Sequence, residues 1–293
     1  MNKIVLRRRS ALVLASALLG SLLLLVAPGS PAALAQYDAC GSLISKTSGE
    51  KWSCTFVDNF SGSSLDSGSW TVGETPTTGY VAGITCFDKD NVAVKQGTLR
   101  LVAKDEGHSF QCASPYAPFT TRYTGAHIAT NGHFSQAYGR FEVRAKYPVS
   151  AAGLHAGFWM YPEKLTYGAW PASGEIDVAE WWSNAPTHAL PTLHYSGSTA
   201  ADSGPACQVA NPSFFHTYTM EWETAEMRFS IDGKQCFRRS WTPDAPLVAP
   251  QPFDKPFVLV LGNAVGPATG TNAVSASTNL PATYTVDYIK AWR

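Results

Sequence analysis

The stretch SGEIDVAEWW, residues 173–182, places three carboxylates among apolar and aromatic residues and contains no basic residue. Side chains of a β-strand alternate between two faces, so Glu175 and Asp177 share one face of such a strand. Strict alternation would send Glu180 to the opposite face with Val178, where a buried lone carboxylate costs several kcal/mol. One extra residue in the strand, a β-bulge near Val178, returns Glu180 to the face of the other two acids. The stretch therefore predicts a bulged strand that presents three acids together.

Three acids in this arrangement suit the cleavage of a glycosidic bond. Two long side chains on a bulged, curved strand can bring the carboxyls of Glu175 and Glu180 to about 5–5.5 Å, the separation that retaining glycosidases use. One carboxylate then attacks the sugar, and the other acts as general acid and base. Asp177 lies between them and can help to separate their pKa values. From the residues alone, two alternatives stay open: a solvated acidic strand face, and a calcium site built from carboxylate oxygens.

Short alternating runs separated by Gly, Pro, Asn and Ser continue from Trp52 to the end of the chain. In RFEVRAK, residues 140–146, apolar and charged side chains alternate with the period of a half-buried strand. The sequence IDGK, residues 231–234, carries the Asp-Gly signal of a hairpin turn. No long segment has helical periodicity. We therefore predict an all-β fold, a jelly-roll β-sandwich of two antiparallel sheets, as a single domain over residues 36–293.

The first 35 residues have the plan of a secretion signal. Arginines at 7–9 precede an apolar run at 11–27, and small residues at 33–35 form a cleavage site before Gln36. We therefore expect residues 1–35 to be removed and the remaining chain to be secreted. A membrane anchor is the alternative, but the apolar run is short for a span. The adjacent arginines also permit twin-arginine export, which the sequence does not separate from the general route.

Loss of the signal would leave an acidic chain. The whole sequence has 22 basic and 22 acidic residues, and residues 1–35 hold four of the basic ones and no acidic one. The secreted part therefore has 18 basic and 22 acidic residues, a net charge of −4. Nucleic acids and anionic membranes both demand a basic surface, so neither is expected as a partner. A monomer is the default expectation.

Six cysteines are spread along the secreted part, and none of them forms a CxxC motif. An even number of cysteines in an exported chain indicates disulfides. The sequence does not fix the connectivity, since six cysteines allow 15 pairings. We predict sequential pairing because it closes three local loops: Cys40–Cys54, Cys86–Cys112 and Cys207–Cys236.

The acid motif and its surroundings resemble a known family. GEIDVAE contains the pattern E-x-D-x-x-E, and further segments follow in the family's order over about residues 52–293: YGRFEVRAKYP (138–148), AGFWMYP (156–162), WPASGEID (170–177), PFVLVLGNAVG (256–266) and VDYIKAW (286–292). The sequence thus resembles glycoside hydrolase family 16, in its laminarinase-like branch. The resemblance implies a jelly roll with a concave substrate cleft and a secreted endo-acting enzyme. Such an enzyme cleaves a polysaccharide, β-1,3-glucan, with retention and without a cofactor.

The resemblance also implies roles for individual residues. Glu175 corresponds to the nucleophile, Asp177 to the assisting acid and Glu180 to the general acid and base. Several alternatives stay open for the whole protein. They are the same chemistry on another β-glycan such as a β-galactan or agar, transfer to a sugar instead of water, and a non-catalytic carbohydrate-binding protein.

Aromatic residues near the motif are candidates for substrate binding. Trp170 and His194 fall where the family lines its cleft near the cleaved bond, although Trp170 could pack at the rim and His194 could be satisfied by backbone. Trp159 has a cleft role and a core role as equal alternatives. Parity with the last acid favours Trp182 on the cleft face and Trp181 in the core.

Asp287, in the sequence VDY, matches an aspartate with which many family members hold a structural calcium ion. The alternative is an aspartate paired with a residue on a neighbouring strand.

The chain departs from the family pattern at four positions outside the acid motif. In GLHAGFW, residues 153–159, His155 replaces a tryptophan and Ala156 a proline. His127 stands where an arginine often occurs, and Asn59 replaces a glutamate. Loss of the flat tryptophan would weaken a sugar subsite. The departures leave all three acids in place, so they leave the identity of the glycan open rather than the type of reaction.

Overall fold

A computed structural model describes residues 37–293, and the predicted signal at 1–35 lies outside the described residues. Strands form where apolar and polar residues alternate. In the segment Gly139–Lys146, Phe141, Val143 and Ala145 are fully buried, while Arg140 and Arg144 are partly exposed. The predicted period-two pattern of residues 140–146 is therefore confirmed, with one face of the strand in the core.

Within the described residues, helical structure is limited to one short helix, α1 (Thr75–Thr78), and two 3-10 turns at Lys89–Asn91 and Ala200–Asp202. The strands are β1 (Tyr37–Asp38), β2 (Gly41–Ser42), β3 (Cys54–Asp58), β4 (Thr71–Val72), β5 (Thr85–Phe87), β6 (Val92–Lys95), β7 (Thr98–Cys112), β8 (Phe119–Ala129), β9 (Gly139–Lys146), β10 (Leu154–Pro162), β11 (Glu175–Trp182), β12 (Leu190–His194), β13 (His216–Trp222), β14 (Met227–Ile231), β15 (Lys234–Arg239), β16 (Phe257–Val265) and β17 (Ala282–Trp292).

The strands form a jelly-roll sandwich, as predicted, but its two layers are joined. One layer has the order β12-β11-β10-β16-β8, and the other contains β17-β9-β13-β14-β15 with β3 beside β17. The long strand β7 pairs with β17 over its first half and with β8 over its second half. The predicted pair of sheets is therefore one continuous, mostly antiparallel sheet that curls around a shared core.

All three predicted disulfides are present. Cys40–Cys54, Cys86–Cys112 and Cys207–Cys236 have Cα separations of 5.5, 5.9 and 5.0 Å. These separations fall in the usual range for a disulfide. Over residues 37–293, the structure contains no helix that is long and apolar enough to cross a membrane.

The acidic strand β11 contains the predicted bulge. Against β10, Asp177 pairs with Trp159 and Ala179 pairs with Phe158, so that Val178 is the extra residue. Against β12, Asp177 pairs with Thr192 and Glu180 pairs with Leu190, which again leaves one extra residue on β11. The bulge returns Glu180 to the face of the other two acids.

A buried tyrosine supports the bulge from inside the core. A bulge leaves backbone groups without their regular strand partners. The Tyr147 hydroxyl donates a hydrogen bond to the Ala179 carbonyl oxygen at 2.9 Å. The Tyr147 ring stacks on Trp181 with centroids 5.2 Å apart, and Trp181 is fully buried, as predicted. The bulge carbonyl is thus satisfied by a side chain whose own position is set by aromatic packing.

Replacement of Tyr147 by phenylalanine should destabilise the fold. The Tyr147→Phe variant keeps the ring but leaves the buried Ala179 carbonyl without this donor, so urea unfolding should show a loss of about 1–3 kcal/mol. Tyr218→Phe is the matched control, because the Tyr218 hydroxyl is buried without a hydrogen-bond partner among the described residues. The control should lose less than about 1 kcal/mol. Equal losses in the two variants would contradict a supporting role for Tyr147.

Candidate active site

The three acids of β11 lie together on the outer face of the layer that also contains β10 and β12. Asp177 is buried, and Glu175 and Glu180 are partly exposed. Between the acids and β10 lies a cavity of about 40 Å³, whose lining also includes His155 and Gly157. A space of this size can hold a water molecule. The three predicted acids are therefore brought together around a space that admits a small oxygen group.

A close approach between strands keeps this space small. Gly157 on β10 lies opposite Glu180, and a Cβ at Gly157 would come within 2.9 Å of the Ala179 carbonyl oxygen. Any side chain there would push the strands apart at the bulge. The glycine therefore lets the two strands stay paired beside the acids.

Each acid has its own aromatic hydrogen-bond partner. The Trp170 indole Nε1 donates to Glu175 Oε2 at 2.5 Å. His194 Nε2 lies 2.8 Å from Asp177 Oδ2. Glu180 is also paired with an imidazole, that of His155. The family resemblance does not predict this partner. These separate partners fix the three carboxyls individually.

The loop before β11 folds so that Trp170 reaches the first acid. Ser173 is buried, and its hydroxyl donates to the Gly168 carbonyl oxygen at 2.7 Å while it accepts from the Tyr167 backbone N–H at 2.9 Å. Gly174 has φ of +86°, in the left-handed region that favours glycine. The tight loop turns back over the start of β11 and leaves Trp170 at the rim with 54% of its surface exposed.

The remaining predicted substrate-binding residues occupy the same face. His194 lies beside Trp170, with ring centroids 5.7 Å apart. Trp182 is partly exposed and packs on the His155 ring at 4.1 Å between centroids, consistent with its predicted outward orientation. Trp159 lines a second cavity and also packs against an apolar cluster, so it combines the two alternatives that the sequence left open.

The second cavity adjoins the acids and has a volume of about 650 Å³. Its lining includes the rings of Tyr80, His127, Trp159 and Trp170, together with Glu175. Burial lowers the pKa of His127 to about 4, so this imidazole is neutral near pH 7. Rings and a neutral imidazole can pack against the C–H faces and hydroxyls of sugars. The cavity thus presents ring faces next to Glu175.

Two residues of this site were missed by the sequence analysis. The sequence comparison marks His155 only as the replacement of a tryptophan. Residues 155, 157, 159 and 161 of β10 share one face, however, and this period of two places His155 on the side of the acids. Tyr80 comes from the segment between α1 and β5 and packs on the His127 ring at 4.7 Å. No local pattern marks Tyr80, because its contact depends on how a distant loop folds over the sheet.

The three carboxyl groups titrate as a coupled set. Burial, followed by repulsion from Asp177, raises the pKa of Glu175 to about 7, although His194 and the Trp170 indole act in the opposite direction. Burial and the charge of Glu180 raise the pKa of Asp177 well above its usual range. Burial also opposes ionisation of Glu180, but the hydrogen bond and electrostatic attraction from His155, together with the Trp182 indole and the charge of His194, outweigh it and lower the pKa. The site therefore retains at least one proton near neutral pH.

Asp287, the possible calcium ligand, is paired with an arginine of a neighbouring strand. Arg144 Nη1 on β9 donates to Asp287 Oδ2 at 2.5 Å. The guanidinium engages one of the two carboxylate oxygens, and its positive charge would repel a calcium ion at the other. The contacts match the alternative of pairing with a neighbouring strand.

A second group with potential metal ligands is also unsuitable. Among residues 37–293, the close group of ligand-type side chains is Asp38 with Cys40 and Cys54. Those two cysteines form a disulfide, whose sulfurs are not the thiolates that bind metals.

The chain is similar to known proteins over most of its length. The profile of Glycosyl hydrolases family 16 matches residues 84–290. Glucan endo-1,3-beta-glucosidase A1 of Niallia circulans is 30% identical over 261 residues, which are 80% of this chain and 37% of that protein. Beta-glucanase of Rhodothermus marinus is 33% identical over 217 residues, 70% of this chain and 71% of that protein. This chain thus spans well under half the length of the Niallia relative.

A solved structure is also similar in fold. The laminarinase of Rhodothermus marinus superposes with a TM-score of 0.68 and 28% identity, covering 83% of this chain and 97% of that chain. The predicted fold is therefore shared with this solved laminarinase.

Replacement of Glu175 by glutamine should stabilise the protein in mild alkali. A raised pKa in the folded state means that the folded protein binds the proton more tightly than the unfolded chain, so stability falls as pH rises from about 4.5 to about 7. Glutamine removes this loss and can still accept from Trp170. The melting temperature of Glu175→Gln should exceed that of the parent by roughly 2–6 °C at pH 8 and by little at pH 4.5.

Glu50→Gln is the control for this measurement, because the Glu50 side chain is 75% exposed and its nearest cation, Lys46, lies 3.9 Å away. We expect it to leave the melting temperature unchanged at both pH values. A Glu175→Gln protein that is no more stable than the parent at pH 8 would show that ionisation of Glu175 does not destabilise the folded protein.

Proposed function

Since the chain belongs to glycosyl hydrolases family 16, we propose that this glycoside hydrolase is a secreted, endo-acting enzyme that cleaves β-1,3-glucan with retention of configuration. The observation that carries the proposal is the group of three acids on one face of β11. The bulge at Val178 places Glu180 beside Glu175 and Asp177 instead of in the core. Retaining hydrolysis needs two carboxyls that flank the scissile bond, one on each side of the anomeric carbon and about 5–5.5 Å apart.

The reaction follows a double displacement. In the first step, the Glu175 carboxylate attacks the anomeric carbon, the glycosidic bond breaks, and the Glu180 carboxylic acid gives its proton to the leaving oxygen. In the second step, the Glu180 carboxylate removes a proton from water, and the resulting hydroxide displaces Glu175 from the sugar. The cycle ends with an ionised Glu175 and a protonated Glu180. Only carboxyl groups and water take part, so the reaction needs no cofactor.

In the free site, the pKa values favour a protonated Glu175 and an ionised Glu180, which is the reverse of what the first step needs. Bound substrate shifts this distribution. Without sugar, Glu175 has the raised pKa and Glu180 the lowered one. Positive charge that develops at the anomeric carbon favours an ionised Glu175. A glycan above Glu180 removes water from its carboxyl and favours the neutral form. Both effects move the site toward the productive distribution as the bond begins to break.

The surrounding residues hold the reacting groups. The Trp170 indole donates to Glu175 and leaves its other carboxylate oxygen free for attack. His194 holds Asp177 between the two glutamates. Trp159 and Tyr80 line the adjoining cavity and offer ring faces to further sugar units. These contacts support a polysaccharide as the substrate.

The choice of β-1,3 linkages rests on the two relatives' names, glucan endo-1,3-beta-glucosidase and laminarinase. Three disulfides support an oxidising, extracellular location, in agreement with the signal expected at residues 1–35. A single chain supplies all the named groups of the site, and we propose that the enzyme works as a monomer.

A substrate screen tests the proposal. The purified protein should release reducing ends from laminarin faster than from mixed-linkage glucan, and it should release few or none from agarose or galactan. Early products should be oligosaccharides of mixed length, and proton NMR should show the β-anomer first, as retention requires. The Glu175→Gln variant should lose at least about 10³-fold in kcat, because the nucleophile is gone.

Other results of the screen would replace a specific part of the proposal or overturn it. Faster cleavage of galactan or agarose would replace the proposed glycan with another. Sugar transfer products in place of hydrolysis would replace the proposed acceptor. An α-anomer would indicate inversion and a wider carboxyl separation. Binding of laminarin without any cleavage would overturn the enzymatic proposal.

A further inference from the structure

His155 on β10 makes a direct contact with the proposed acid and base. Its Nε2 atom lies 3.0 Å from Glu180 Oε1. The side chains of the pair are 17% and 23% exposed, so the hydrogen bond is largely shielded from water. A shielded contact between a carboxyl and an imidazole is stronger than one at the surface.

The position of the imidazole is fixed by its neighbours. His155 pairs in register with Trp182 of β11 on one side and with Ala264 of β16 on the other. The ring lies on the Trp182 indole at 4.1 Å between centroids with an interplanar angle of 30°. Gly157, two residues along β10, lets the backbone stay close to the bulge. His155 is therefore held toward Glu180 by packing as well as by the hydrogen bond.

The groups around His155 define its electrostatic setting. β16 presents the uncharged Ala264 opposite it. The titratable groups on the other elements packed around the pair are the three acids of β11, the imidazole of β12 and one phenol from the segment before β5: Glu175, Asp177, Glu180, His194 and Tyr80. Among these groups, Glu180 is the one to which His155 forms a hydrogen bond. A change at His155 should therefore act first on Glu180.

We propose that His155 is a positioning residue for Glu180, which orients its carboxyl toward the leaving oxygen and sets the upper pH limit of the reaction. The inference rests on the function proposed above. His155 takes no proton from the substrate. When Glu180 has given its proton to the leaving oxygen, the imidazole N–H donates to the new carboxylate. When Glu180 recovers a proton from water, that hydrogen bond weakens.

The direction of the effect follows from this cycle. A donor that favours the carboxylate form makes Glu180 a stronger acid, in line with the lowered pKa of Glu180. It also lowers the pH at which Glu180 becomes ionised and can no longer protonate the leaving group. Removal of the donor should therefore extend activity to higher pH and slow the proton transfer at the optimum.

Two variants and one control test the inference by pH profiles of kcat on laminarin, because kcat reports the substrate complex, in which Glu180 is the protonated acid. His155→Phe keeps a ring on Trp182 and removes the hydrogen bond, so the alkaline midpoint should rise by about one pH unit. In this variant kcat at the optimum should fall by roughly tenfold with little change in KM. His155→Gln keeps an N–H donor near the Nε2 position, so its midpoint should fall between the other two and most of the turnover should return.

The control, His216→Phe, removes a similar pair outside the candidate site, His216 Nδ1 to Asp232 Oδ2 at 2.7 Å. It should leave the profile unchanged. A structural role for His155 alone would lower activity at every pH without moving the alkaline midpoint, and this result would overturn the inference.

A second readout does not depend on catalysis. Carbon NMR of protein labelled at the glutamate carboxyls, with Glu180 assigned through Glu180→Gln, should show a higher titration midpoint for Glu180 in His155→Phe than in the parent. A moved midpoint in a protein that cleaves no glycan would support the pairing and reject the proposed function. An unchanged midpoint would overturn the inference whether or not glycans are cleaved. If His155→Phe does not fold, His155→Gln decides by the same titration, and its midpoint should also rise.

Discussion

The hydrogen bond from the Tyr147 hydroxyl to the Ala179 carbonyl supports the irregular point of β11 on which the candidate site depends. A regular strand would place Glu180 inside a core of tryptophans and tyrosines, where an unpaired carboxylate is strongly disfavoured. One extra residue, Val178, shifts the alternation of the side chains by one position. The Ala179 carbonyl oxygen, freed from the regular strand pairing, then needs a buried hydrogen-bond donor. The chemistry on the outer face of the sheet is therefore tied to aromatic packing on its inner face.

The three acids repel one another when they are ionised, and the neighbouring side chains offset this repulsion to different extents. Three carboxyls with little access to water cannot all be ionised, so the site retains protons near neutral pH. Each carboxyl has a different partner, an indole for Glu175 and an imidazole for each of the others. These unequal surroundings separate the pKa values of two glutamates that the sequence alone cannot distinguish. Ionisation of Glu175 lowers the stability of the folded protein, but the reaction needs this carboxylate as the attacking group.

Local patterns were sufficient for some features and not for others. The alternation in β9, the bulge in β11 and the sequential disulfides all depend on residues close together in the sequence, and the structure agrees with them. The joining of the two layers by β7 depends on which strands pair at each end of a long strand, which no local pattern encodes. The same holds for Tyr80, which reaches the site from a distant loop. At Asp287, the family resemblance suggested a metal, but the contact with Arg144 depends on the pairing of β9 with β17.

The central claim is that Glu175 attacks the sugar while the bulge places Glu180 beside it as the acid and base. A laminaribiosyl substrate with fluorine at C2 of the reacting sugar and a dinitrophenyl leaving group tests this most directly. Fluorine slows both steps, and the reactive leaving group lets the first step proceed, so the covalent intermediate accumulates. Mass spectrometry of the digested protein should then locate the sugar on Glu175. A sugar attached to Glu180 or Asp177, or no adduct from an enzyme that still cleaves laminarin, would contradict the account.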